Sequence, residues 1–147
     1  MEDTYTFKTI PYKSFYYRKA IELRDRILRK PLHLTFSESD LEKEKDEIGI
    51  GLFYKKELIA ILQLKPVEDN TIKLRQMAVD TNHQQKGIGK KLVLFAEKHA
   101  QEKGFHRITL HARKTALIFY KKLGYQLIGS KFMEVNIPHY KMYKDQF

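Results

Sequence analysis

The sequence predicts an α+β (mixed α/β) fold, with a mixed central sheet of about six to seven strands flanked by about four helices. Three observations carry this. Apolar and polar residues alternate in several short runs, as half-buried strands require. Two longer runs keep helical spacing and stop at a glycine, Gly104 and Gly124. The order is strands first, then β-α-β-α-β-β, without an internal repeat or a linker, which predicts one domain over residues 1–147.

The elements follow in order. Tyr5-x-Phe7-x-Thr9 alternates and reads as the first strand. Ser14 caps a helix running to about Arg29, with Ala20, Leu23, Ile27 and Leu28 on one face, and Pro31 stops it. Residues 32–46 are polar and acidic, with a short helix expected after Ser39 or Asp40. Strands at 48–54 and 58–65 flank Lys55-Lys56-Glu57 as a tight antiparallel hairpin, and 66–70 make the next turn. A fourth strand covers 71–79 and a helix 87–103. The fifth strand is 107–112, a helix covers 114–123, and the last strands are 125–132 and 140–144.

Composition narrows the classes. Hydrophobic residues make up 42% of 147, enough for a packed core. There is no cysteine, which excludes disulfides, thiolate metal sites and a cysteine nucleophile. Glu2 and Asp3 follow Met1 and no apolar run comes after them, so no signal peptide is expected. No stretch approaches the roughly 20 apolar residues that span a bilayer, so a cytoplasmic protein without a membrane partner is expected. None of the six histidines pairs at i, i+4 or lies in H-E-x-x-H, so no metal is expected.

Residues 83–89, His-Gln-Gln-Lys-Gly-Ile-Gly, lie between a strand and a helix. Glycines there let the backbone approach an anion, and the first helical amides have no internal acceptors. The helix dipole adds positive charge at the same point, as do Lys86, Lys90 and Lys91. This is a phosphate cradle, but neither familiar nucleotide loop fits. A P-loop would need Gly at Gln84 and Ser or Thr at Lys91. A dinucleotide fingerprint starting at Gly87 would need a third glycine at Leu92.

The spacing Gln84-x-x-Gly87-x-Gly89 resembles the pyrophosphate motif Q/R-x-x-G-x-G/A of the GCN5-related N-acetyltransferase (GNAT) superfamily. Arg75-Gln76-Met77-Ala78-Val79 precedes it, as that family's fourth strand does. Downstream, Ala116 and Phe119-Tyr120-Lys121-Lys122-Leu123-Gly124-Tyr125 look like the family's A-x-x-F-Y-x-K-x-G-[FY] signature. The match covers roughly residues 72–128. The Leu23 to Leu32 region and Ile137-Pro138-His139 look like those of small, single-domain bacterial members.

The resemblance implies a GNAT-like acyl-CoA N-acyltransferase fold, acetyl-CoA as co-substrate, and direct acetyl transfer to a primary amine in a ternary complex. It implies that the main chain of Met77, Ala78 and Val79 lines the pantetheine arm. Gln84, Gln85, Lys86, Gly87, Ile88, Gly89 and Lys90 would surround the pyrophosphate, with the Ile88 side chain in the core. Tyr120 takes the family position of the general acid at the coenzyme sulfur. Arg113 stands where many relatives carry asparagine against the pantetheine, and an arginine can reach a phosphate instead. Arg75 stands near the strand-four glutamate that serves many relatives as base, and a guanidinium cannot fill that role. Glu134, His139 and His111 are the candidate bases in its place.

The missing glutamate keeps a second function open, a non-catalytic acetyl-CoA sensor. The net charge of +10 opens a third, nucleic-acid binding, but there is no arginine-rich block or nucleic-acid motif. Coenzyme A, with three phosphate groups, also suits a basic surface, and no nucleic-acid partner is expected. A basic face is a poor receptor for polyamines unless a local acidic patch receives them. The resemblance also leaves room for a homodimer paired through the C-terminal strands.

Overall fold

The computed structural model describes residues 4–145 and 147. Residues 1–3, on which the expectation about a leader rested, lie outside it. The order is β1 (Tyr5–Ile10), α1 (Phe15–Arg24), α2 (Glu38–Glu42), β2 (Ile48–Tyr54), β3 (Glu57–Glu68), β4 (Thr71–Val79), α3 (Ile88–Glu102), β5 (Arg107–Arg113), α4 (Leu117–Lys122), β6 (Gln126–Glu134) and β7 (Ile137–Asp145). The strands form a mixed seven-stranded sheet, β1-β2-β3-β4-β5-β7-β6. The β4–β5 pair is parallel, while β1–β2, β2–β3, β5–β7 and β6–β7 are antiparallel. No helix among the described residues is long and apolar enough to cross a membrane.

The chain divides into two compact units. One holds the chain up to Lys65 together with Gln76–Ala96; the other holds Pro66–Arg75 and everything from Glu97 on.

In the first unit, Ser14 caps α1 as expected, its hydroxyl accepting from Tyr17 N–H at 3.3 Å. The helix does not keep its pitch to Arg29. After Arg24 it widens into a π turn over Asp25–Arg29, then tightens into a 3-10 turn over Lys30–Leu32. The next helix starts earlier than expected, because Ser37 is its cap. The Ser37 hydroxyl takes the Asp40 amide while the Asp40 carboxylate takes the Ser37 amide, a reciprocal capping box. Ile10, Tyr17, Ala20, Leu23, Phe53, Ile61 and Ala78 form one core cluster. Beside it Arg24, fully buried, forks onto the Glu44 carboxylate, and Tyr17 Oη donates to the same carboxylate at 2.9 Å. The Lys55 and Lys56 turn closes the β2–β3 hairpin as expected, with φ of 51° and 68°.

Pro66 was expected to end β3, yet the strand runs on to Glu68. The β2 ladder stops at Ile48 opposite Leu64, so from there β3 has lost its β2 neighbour, and the missing proline N–H costs no bond on that side.

In the second unit, α3 ends at Gly104, where Phe105 N–H bonds back to Ala100 O at 3.0 Å. The last two strands are longer than expected and meet in a tight hairpin. Val135 and Asn136 both hold positive φ, 44° and 63°, so residues 134–139 form a turn and strand ends, where a free segment was expected. A β-branched residue in that position hid the turn from the sequence. Register fixes the faces. Ile72, Ile108, Leu110, Ala112 and Met142 are buried on one. Lys73, Thr109, His111, Arg113, His139, Lys141 and Tyr143 alternate onto the other.

Candidate active site

The loop after β4 is built from its own polar groups. Asp80 caps a 3-10 turn over Thr81–His83, its carboxylate taking the Asn82 amide at 3.3 Å, His83 Nδ1 at 3.2 Å and Arg26 Nη2 at 2.9 Å. Burial works to raise the Asp80 carboxyl, but these three donors outweigh it and hold it below the ordinary range. Gln84 reaches back from the loop, its Nε2 donating to Val79 O at 3.0 Å. Gln85 and Gly87 then take φ of 62° and 76° and turn the chain into α3. A Cβ at Gly87 would meet nothing within 4 Å, so the backbone angle, rather than crowding, calls for glycine there.

The first helical bond is Lys91 N–H to Gly87 O, at 3.1 Å. The amides of Ile88, Gly89 and Lys90 therefore precede the ladder and have no helical acceptor. Ile88 itself is 1% exposed and shares its buried face with Leu92, while Phe95 stacks on Phe7 at 4.5 Å. The Ile88 side chain is in the core, as expected, and anchors the start of the helix. Gln84, Gln85, Lys86 and Lys90 are exposed.

Within β4, which runs from Thr71 to Val79, Gln76 holds φ 55°. The Asp80 amide donates to Ile59 O of β3 at 2.8 Å. Amides alternate along an extended strand, so that of Ala78 also faces β3, and those of Met77 and Val79 face the opposite edge. The Val79 carbonyl faces that edge too, and there it receives Gln84.

The second unit brings three of the expected residues together. His111 on β5 places Nδ1 3.0 Å from Glu134 Oε1 on β6. His139 on β7 places Nε2 3.5 Å from the other oxygen, Oε2. The His139 Nδ1 donates to Ile137 O at 2.8 Å, which fixes its proton on that nitrogen. Phe132 packs against both imidazoles, at 4.8 Å and 6.0 Å. Burial lowers the His111 pKa, and Lys73 and Lys141 add to this; the Glu134 hydrogen bond only partly opposes them. Glu134 is raised by burial but held low overall by His111, His139 and Lys73. His111 is thus neutral at pH 7, its Nδ1–H directed at a carboxylate and its Nε2 lone pair basic. The same orienting logic operates in hydrolase triads.

Tyr120 lies on α4. It is 6% exposed and packs edge-on against Phe119 and Tyr125, at 5.0 Å and 5.6 Å. Burial raises its pKa, with neither a hydrogen bond nor a neighbouring charge contributing. Arg113 ends β5 opposite His139. Three contributors escaped sequence reasoning. Asp80 and Arg26, which tie the loop down, lie far apart in sequence, although Asp80 three residues before His83 is a capping signal. Phe132, which holds both imidazoles, carries no local signal.

A parallel β4–β5 pair joined through the loop and α3, with three amides ahead of the first helical bond, defines an α+β class of protein. A profile of the acetyltransferase (GNAT) family matches residues 11–125. The chain belongs to that family and is an N-acetyltransferase. Among its relatives, the Bacillus subtilis protein YyaT is 29% identical over 131 residues, covering 86% of this chain and 87% of YyaT. The N-acetyltransferase YjcF of the same organism is 29% identical over 129 residues, covering 87% and 91%. A crystal structure of an aminoglycoside 6'-N-acetyltransferase complexed with coenzyme A shares the fold at TM-score 0.78 and 17% identity, covering 95% of this chain and 96% of that one.

Proposed function

We propose that the protein transfers the acetyl group of acetyl-CoA to a primary amine by direct attack in a ternary complex. The observation that supports this is the set of amides at Ile88, Gly89 and Lys90, ahead of the first helical bond and beside the exposed Lys86 and Lys90. Such an end suits a diphosphate, whose charge is spread over several oxygens. Gln84 and Asp80 hold the loop, and the second edge of β4 offers the Met77 and Val79 main chain to the amide groups of a pantetheine arm.

His111 Nε2 takes one proton from the acceptor's ammonium group, leaving the neutral amine. The nitrogen lone pair then attacks the thioester carbonyl, and a main-chain N–H of β4 stabilises the oxyanion that forms. Collapse of this intermediate breaks the carbon–sulfur bond and expels the thiolate, which takes a hydrogen bond from Tyr120 Oη and the proton left on the acylated nitrogen. Glu134 orients His111 and stabilises its charged form, while Phe132 packs against both imidazole rings. Arg113 contacts the coenzyme.

Two measurements test the reading together: calorimetric titration with acetyl-CoA, and release of the coenzyme thiol across a panel of primary amines. Binding heat with amine-dependent thiol release is expected. No heat refutes it, and heat without turnover of any amine reduces the protein to a binder.

A further inference from the structure

The sheet face that carries His111 is strongly basic. Lys73, Arg107, Arg113 and Lys141 alternate onto it from β4, β5 and β7. Asp145 takes the Arg107 fork at 2.7 Å and 3.0 Å, Glu134 takes His111 Nδ1 at 3.0 Å, and Glu68 also acts on Arg107. On this face Lys141 is exposed and His111 is half-buried, while Thr109 and His139 are buried. In register, Lys141 lies directly across from His111. The charges of Lys73 and Lys141 both reach the imidazole, since both act to lower its pKa.

We propose that this face receives the acceptor, and that the acceptor is a small amine bearing a carboxylate or phosphate near its nitrogen. The proposal rests on the acetyl-transfer reading above. Neighbouring strands are about 5 Å apart, so an amine at His111 Nε2 and an anion at Lys141 are separated by a few bonds. That spacing fits amino acids and aminoalkyl phosphates. A polyamine would bring a second positive charge against Lys141.

Matched pairs test this: O-phosphoethanolamine against ethanolamine, and β-alanine against β-alaninamide, each followed by coenzyme thiol release. The charged member is expected to have the higher kcat/KM by about tenfold, with a KM that rises with ionic strength. Lys141→Glu is expected to erase that preference by raising KM for the charged member, whereas Lys98→Glu on α3 leaves it intact. Equal or better turnover of the neutral members overturns the proposal, as does a preference that survives Lys141→Glu. Acetyl-CoA binding without turnover of either charged probe overturns it too. So does Lys141-dependent, salt-sensitive binding of single-stranded RNA, which would assign the face to a polyanion. An absence of acetyl-CoA binding heat would instead sink the acetyl-transfer reading, so the two failures are distinguishable.

Discussion

Replacing Tyr120 by phenylalanine removes one hydroxyl and keeps the ring. The edge-on contacts with Phe119 and Tyr125 survive the change. The hydroxyl has no hydrogen bond or charge acting on it, so its loss is expected to alter stability by less than about 1 kcal/mol. For a chain of this size that is a shift of at most about 4 °C in Tm. Burial keeps the phenol protonated far above neutral pH, so the donor is present at every working pH. The same burial opposes a lasting phenolate, which makes Tyr120 a weak acid toward a thiolate of pKa about 8.5. Its effect is therefore closer to one strong hydrogen bond to a developing charge, about 1.5–3 kcal/mol, than to full general-acid catalysis. Tyr120→Phe should lower kcat by about 10–100-fold. Thiol release with the most active amine measures kcat, and calorimetry should give an unchanged acetyl-CoA affinity. A kcat within about threefold of the parent would make Tyr120 a packing residue and refute its role at sulfur.

Other perturbations separate the remaining roles. Gly89→Glu puts an acid in the first turn of α3, which helix electrostatics tolerate, yet it should weaken acetyl-CoA binding about 10–100-fold in calorimetry through like-charge repulsion. Neutral His111 is the active form and its pKa is depressed, so the acid limb of kcat/KM should lie below pH 6.5 and disappear in His111→Gln. Arg24→Met leaves Glu44 buried without its main partner and should cost about 3–5 kcal/mol in denaturant unfolding, most of which Arg24→Met with Glu44→Leu recovers. Asp80, Glu134 and Asp145 all have lowered carboxyl pKa values. Their contribution to stability should be complete above about pH 4.5, near the unfolded values, and be lost as pH falls through the folded ones; acid titration by circular dichroism reads this.

Local chemistry made much of this protein legible from its sequence. The Ser14 cap, the Lys55-Lys56 turn, the glycine-terminated helices and the Gly87-x-Gly89 entry to α3 each depend on residues close together in the chain. Backbone angles and capping bonds act over one to five residues, which is the range a sequence exposes. The same locality explains the errors. Ser37 and Ser39 offer similar caps, and Val135 gives no turn signal, so the boundaries of α2 and the last hairpin had to come from the folded chain.

Tertiary structure decided what depends on register between strands. His111, Glu134 and His139 are three separate base candidates in the sequence; pairing of β5, β7 and β6 makes them one cluster with defined tautomers. A slip of one residue in any of those strands would turn the side chain to the other face. Register is set by burial of Leu110, Ala112 and Met142 on the core side, a collective property that no short motif contains.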